Sequence, residues 1–230
     1  MSKIKKKELG VGLFLMVTFV AVMVVIFMPL LDDGNALDYL DNLYNSISKG
    51  SAYYIPKVEH LVEENGSQVV TLNLKMKDSA AAQRAEPLFA RAGMTTAVET
   101  NNLMVNGDLE LVFEACLDDC ELAYHNNGDE LAARYGSGAR AVLHGWWQTL
   151  GAMEKDLNRQ KLFAAAQLTH TVQAKAVECA YNYYGIEAQA IKDRWGTVLF
   201  SLVFYVLYTI WYGYGIMYVF EGLGFELAAH

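Results

Sequence analysis

The sequence predicts a membrane protein of the α+β class: two transmembrane helices flanking one mainly helical extracytoplasmic domain with a small β-sheet. Three observations predict it. Residues 10–31 and 197–220 are apolar runs without a charged side chain, and each exceeds the roughly 20 residues that cross a bilayer as a helix. The stretch between them has mixed polarity and the size of one ordinary domain. Within that stretch Val-Val-Thr-Leu-Asn-Leu-Lys-Met at 69–76 alternates and is β-rich, while almost everything after residue 108 carries helical spacing.

The expected segments are a basic cytoplasmic N-terminus at 1–9, a first transmembrane helix at 10–31, an extracytoplasmic α+β domain at 32–193, a second transmembrane helix at 194–220 and a short cytoplasmic tail at 221–230. Flanking charge sets the orientation. Lys3, Lys5, Lys6 and Lys7 precede the first run and Asp32 and Asp33 follow it; basic residues are retained in the cytoplasm. Lys192 and Arg194 work mildly against this, but the first helix usually dominates. The first run is too long for a signal-peptide core, and Phe27-Met28-Pro29-Leu30-Leu31 offers no small-residue cleavage site. The expected location is a bacterial inner membrane, with the main domain periplasmic and both termini cytoplasmic.

Charge narrows the partners. The formal net charge is −8 despite the basic N-terminus, so the exported domain is acidic. That argues against nucleic acid and against docking on anionic headgroups. It is compatible with cationic partners, or simply with a solvated acidic surface.

Local signals give the elements. Residues 38–48, with Leu37, Leu40, Leu43, Tyr44 and Ile47 on one stripe, read as an amphipathic helix stopped by Gly50. Pro56 suits the first turn of a short helix through Glu64. The strand at 69–76 comes next. Asp78 or Ser79 then caps an alanine-rich helix to about Arg91, ended by Gly93, with Pro87 as an internal conflict. Residues 95–99 and 103–105 are candidate short strands joined through Asn101-Asn102, and Asn106-Gly107 predicts a further turn. So small a sheet needs helices against it. One helix is expected from Leu109 to about Asn126. An apolar stripe runs from Leu143 to Tyr183, with a bend or exposed turn at 158–161. Gly185 is the last break before the second run. The helices from Asp38, from Leu109 and along 143–183 are expected to pack together.

Cys116, Cys120 and Cys179 leave three readings open. Cys116 and Cys120 are spaced i,i+4 on a helix, with Cβ atoms about 5–6 Å apart, beyond the roughly 3.8 Å of a disulfide. A bridge would therefore join one of them to Cys179. The alternatives are buried reduced thiols, or a metal or redox site completed by His125 and His170. The spacing matches no standard zinc module, and no cofactor or metal is expected.

The second apolar run carries the main functional clue. Ser201, Tyr205, Tyr208, Thr209 and Tyr212 share one face, and Gly213 and Gly215 allow close backbone approach. Mid-membrane hydroxyls need acceptors. This face, with Gly215, predicts a helix–helix interface with further helices from another subunit or a second copy, in preference to the first run, whose Val, Phe and Met offer few polar groups. No catalytic motif occurs. His60, His125, His144 and His170 are scattered; His144 beside Trp146 and Trp147 is the one candidate pocket. Asp118-Asp119 and Glu63-Glu64 read as solvated surface or weak cation sites. The expected function is a non-catalytic, membrane-anchored subunit of a transport or electron-transfer assembly, or of a homo-oligomer, with an extracytoplasmic domain that mediates protein interactions. The expected partners are other membrane protein subunits or copies of itself, and the lipid bilayer. The alternative is an extracytoplasmic ligand-sensing domain. With only ten residues after the second run it would signal through a partner protein.

Overall fold

The structure is a computed structural model that describes residues 4–30 and 34–225. Lys3, Leu31, Asp32, Asp33 and the tail from residue 226, on which the topology argument partly draws, lie outside the described residues. The chain is mostly helical with a three-stranded sheet. The order is α1 (Lys6–Phe27), α2 (Ala36–Lys49), α3 (Ile55–Asn65), β1 (Val69–Lys75), α4 (Ser79–Arg91), β2 (Thr95–Glu99), β3 (Asn102–Asp108), α5 (Leu109–Tyr124) and α6 (Gly128–Tyr135). Then come α7 (Ala139–Arg159), α8 (Phe163–Val172), a π-helical turn (Gln173–Val177), α9 (Glu178–Tyr183) and α10 (Ile191–Gly222). Two units form: Ser51–Glu187, and Met1–Gly50 with Ala188–His230.

In the unit Ser51–Glu187 the strands run β1-β3-β2, antiparallel at both pairings. Alternation puts Val70, Leu72 and Leu74 on the same buried face as Leu103 and Val105, as a period of two requires. Helices cover that face, with Phe89, Phe113 and Trp146 fully buried. The outer edge of β1 is not left open. Asn73 N–H donates to Asp156 Oδ2 of α7 at 3.0 Å, and Gln160 Nε2 donates to the Thr71 carbonyl at 2.9 Å. An edge occupied in this way cannot template another strand.

Several local expectations match. Asp78 caps α4 by accepting from Ala81 N–H at 2.7 Å, and Gly93 follows the helix with φ +76°. Pro87 does not break α4; burial of Ala85, Leu88 and Phe89 around it outweighs the lost donor. The run at 158–161 is a true break, with Lys161 at φ +65°.

Two expectations are corrected. Asn106-Gly107 is not a turn but part of β3, opposite Thr71 and Val70. Gly107 is needed because its φ is +151°, a conformation that L side chains rarely adopt; the Met94 sulfur also packs close to it. The turn that joins β2 and β3 lies at Thr100 and Asn101, between the paired Glu99 and Asn102 and one residue before the expected Asn101-Asn102. The second correction concerns α2. It belongs with the apolar helices, not with the sheet unit: Tyr44 Oη meets Ser201 Oγ at 2.6 Å, and Gln189 N–H donates to the Ser46 carbonyl at 3.0 Å.

In that unit α1 and α10, of 22 and 32 residues, are long and apolar enough to cross a membrane. They pack antiparallel, with Lys5 N–H donating to the Gly222 carbonyl at 2.9 Å. Glycines set the spacing. A Cβ on Gly12 would lie 2.5 Å from the Val219 nitrogen, and one on Gly222 2.5 Å from the Leu9 backbone. The backbones therefore come closer than any side chain would permit.

Candidate functional site

The aromatic face of α10 is largely engaged within the chain. The Tyr208 ring stacks on Phe19 of α1 at 4.3 Å, and Tyr212 lies 5.1 Å from the same ring. Gly215 faces Met16. Ser201 donates to the Val198 carbonyl at 2.8 Å besides meeting Tyr44. Thr209 donates to the Tyr205 carbonyl at 2.7 Å. Trp211 Nε1 donates to the Leu15 carbonyl at 3.1 Å, a contact the sequence pattern did not reveal. Tyr205 is 68% exposed. Beside it, a hollow of about 770 Å³ opens among Val22, Val25, Leu37, Leu40, Phe204 and Tyr205. Leu202, Val203, Val206 and Ile210 are exposed as well, so α10 keeps an apolar face that nothing in its own unit covers.

The cluster His144, Trp146 and Trp147 is divided by its helix. Trp146 is core: it meets Phe89 edge-on at 6.3 Å and donates from Nε1 to Asp119 Oδ2 at 2.8 Å. Asp119, read as solvated, is fully buried. It also accepts from Tyr135 Oη at 2.6 Å and Arg134 Nη1 at 3.2 Å. Burial raises its pKa; the hydrogen bonds from Tyr135, Trp146 and Arg134 pull it back without cancelling the rise. Burial and then the bond to Asp119 push the Tyr135 phenol up. For Arg134, burial pulls down, but bonds to Asp118, Glu130 and Asp119 outweigh it and the net shift is upward.

His144 and Trp147 remain at the surface, stacked at 6.2 Å. Trp147 stands between two hollows. One, of about 380 Å³, is lined by His144, Trp147, Glu178 and Tyr181, and Trp147 Nε1 donates to Glu178 Oε1 at 2.9 Å. The other, of about 500 Å³, is lined by Lys75, Lys77, Lys155, Gln148, Gln173 and Trp147. Sequence reading missed these lysines, because β1 and α7 bring them together from 80 residues apart at the extremes.

Cys116, Cys120 and Cys179 are buried, and among the described residues none of them is bridged in a disulfide. Burial, and then hydrogen bonding with Cys120, push the Cys116 thiol well up, which suppresses the reactive thiolate. Cys179 donates to the Ala52 carbonyl at 2.9 Å. The histidines considered as ligands lie elsewhere: His125 meets Glu121 at 3.0 Å, and His170 meets Glu154 at 3.5 Å. Among the described residues no group of three or more His, Cys, Asp or Glu is placed to hold a metal ion. An acidic hollow of about 270 Å³ gathers Glu59, Glu63, Glu114, Asp118 and Glu121. There Tyr53 donates to Glu121 Oε1, Glu121 Oε2 is buried without a partner, and burial followed by Glu121 and Glu63 raises the Glu59 carboxyl. Nearby Tyr124 is pushed up to about 12, chiefly by burial and then by Cys179.

Compared with protein-family models, with curated proteins and with solved structures, the chain matches none.

Proposed function

We propose that this chain is a non-catalytic, two-span subunit of a membrane complex, a transport or electron-transfer assembly or a homo-oligomer. Its acidic domain then lies on the periplasmic side of a bacterial inner membrane and mediates protein contacts. The observation that carries this reading is the uncovered apolar face of α10, from Leu202 and Val203 to Val206 and Ile210, beside Tyr205. Such a face in water is an aggregation liability; in a bilayer it meets lipid or another helix. The glycine-seated pairing of α1 and α10 supports insertion of both helices together.

Two measurements test it. Native mass spectrometry of the detergent-extracted protein should find it bound to further chains; a monomer free of other proteins overturns the subunit reading. Reporters fused at positions 2 and 230 should both read cytoplasmic, and a periplasmic signal at either end overturns the topology. The second reading, a ligand-sensing domain, is favoured by the two hollows that flank Trp147.

A further inference from the structure

We propose that the lysine-lined hollow beside Trp147 binds a small phosphate-bearing anion. Three ammonium groups, Lys75, Lys77 and Lys155, line one cavity of about 500 Å³ on a chain with 26 acidic and 18 basic residues. On such a chain exposed lysines ordinarily find carboxylates, yet the acids adjacent to them in sequence are engaged elsewhere. Glu154, next to Lys155, reaches His170. Asp156, on its other side, holds Arg159 and the Asn73 N–H. Asp78, next to Lys77, caps α4. The cross-strand partner of Lys75 is the neutral Asn102. Among the described residues none of the three lysines makes an ion pair.

Three unopposed like charges repel one another, and a concave wall of one sign focuses the field onto an incoming counter-ion. Lysine suits a phosphate as a point charge without demanding fork geometry. The rest of the wall is built rather than incidental. Gln173 is 8% exposed and sits at the start of the π-helical turn, a local distortion that often marks functional sites. Its amide donates to the Trp147 carbonyl at 2.7 Å. Gly151 leaves room for it: a Cβ there would lie 3.2 Å from Gln173 Nε2. Asn101 and Gln148 add polar side chains, and the Trp147 ring, 44% exposed, supplies a flat apolar wall. The phosphate belongs either to a soluble molecule or to a lipid headgroup.

The test uses the full chain. Inorganic pyrophosphate is titrated into detergent-solubilised protein, followed by calorimetry, against sodium chloride at matched ionic strength. A second arm compares protein in phosphatidylcholine vesicles with and without phosphatidic acid, read by tryptophan fluorescence with Trp147→Phe as the control. Saturable pyrophosphate binding assigns a soluble ligand; a Trp147-dependent response to phosphatidic acid alone assigns a headgroup. Lys155→Gln should weaken whichever response is seen by about tenfold, roughly the worth of one charge-assisted contact, and the triple Lys75→Gln, Lys77→Gln, Lys155→Gln variant should abolish it. Lys57→Gln should change nothing. Silence in both arms, or equal responses from Lys155→Gln and the parent, overturns the proposal. No partner protein is needed, so the outcome is separate from that of the subunit reading.

Discussion

Asp119 lies on α5 with no exposed surface, and the groups it holds come from α6 and α7. Asp119→Ala strands the Trp146 N–H and the Tyr135 O–H and removes one partner of Arg134, so it should cost about 3–5 kcal/mol. Asp119→Asn keeps the shape and an acceptor oxygen and should cost about 1–2 kcal/mol. Denaturant unfolding followed by near-ultraviolet circular dichroism measures both; equal costs would show that the hydrogen bonds do not matter. The folded pKa is raised, so this group's stabilisation is complete below the ordinary aspartate range and is lost as pH rises through the raised value. The gap between the parent and Asp119→Asn should therefore narrow as pH rises. The burial was legible in principle. Asp119 falls on the stripe of Val112, Cys116, Cys120 and Ala123, but an adjacent pair of aspartates reads as surface when charge is weighed before periodicity. Trp146 and Trp147 were legible as a cluster only. The helix turns neighbours about 100° apart, so one is core and the other lines both hollows.

Among the elements, the α1–α10 pair rests on positions where only glycine fits. Gly12→Ala sets a methyl against the backbone of Tyr218 and Val219, which cannot swing aside, and overpacking of this kind costs about 1–3 kcal/mol. A methyl on Gly213 would have nothing within 4 Å of it, so Gly213→Ala is the neutral control. Unfolding midpoints in micelles compare the two, and a Gly12→Ala protein as stable as Gly213→Ala would mean that the helices do not approach as described. The bounds of α4 and β1 were readable because their caps and alternation are local. The fate of α2 was not. Its stripe of Leu37, Leu40, Leu43 and Ile47 announces one buried side without naming the surface that buries it. Gly107 misled for the complementary reason: Asn-Gly is turn chemistry, yet here a φ of +151° requires glycine inside a strand.

For the whole molecule, the division into two units predicts that Ser51–Glu187 is self-sufficient. Its core, from Ile55 to Ala180, draws on no residue of α1, α2 or α10. A fragment spanning 51–187 should be soluble, helical and cooperative in unfolding by circular dichroism; a fragment that stays unfolded would show that the units depend on each other. The presence of two apolar helices and a small sheet among helices could be read from hydropathy and alternation. The lysine hollow could not, since three residues from a strand end, a loop and a helix share no pattern along the chain.

The strand order β1-β3-β2 has a consequence in time. β1 leaves the ribosome first but pairs only with β3, whose residues follow after all of α4 and β2. At ordinary synthesis rates that interval lasts on the order of seconds. Throughout it Val70, Leu72 and Leu74 have no strand beside them. The β2–β3 hairpin, with its short turn at Thr100 and Asn101, closes in roughly microseconds once made. It is therefore a ready-formed partner for β1, which until then has helices but no strand to pack against.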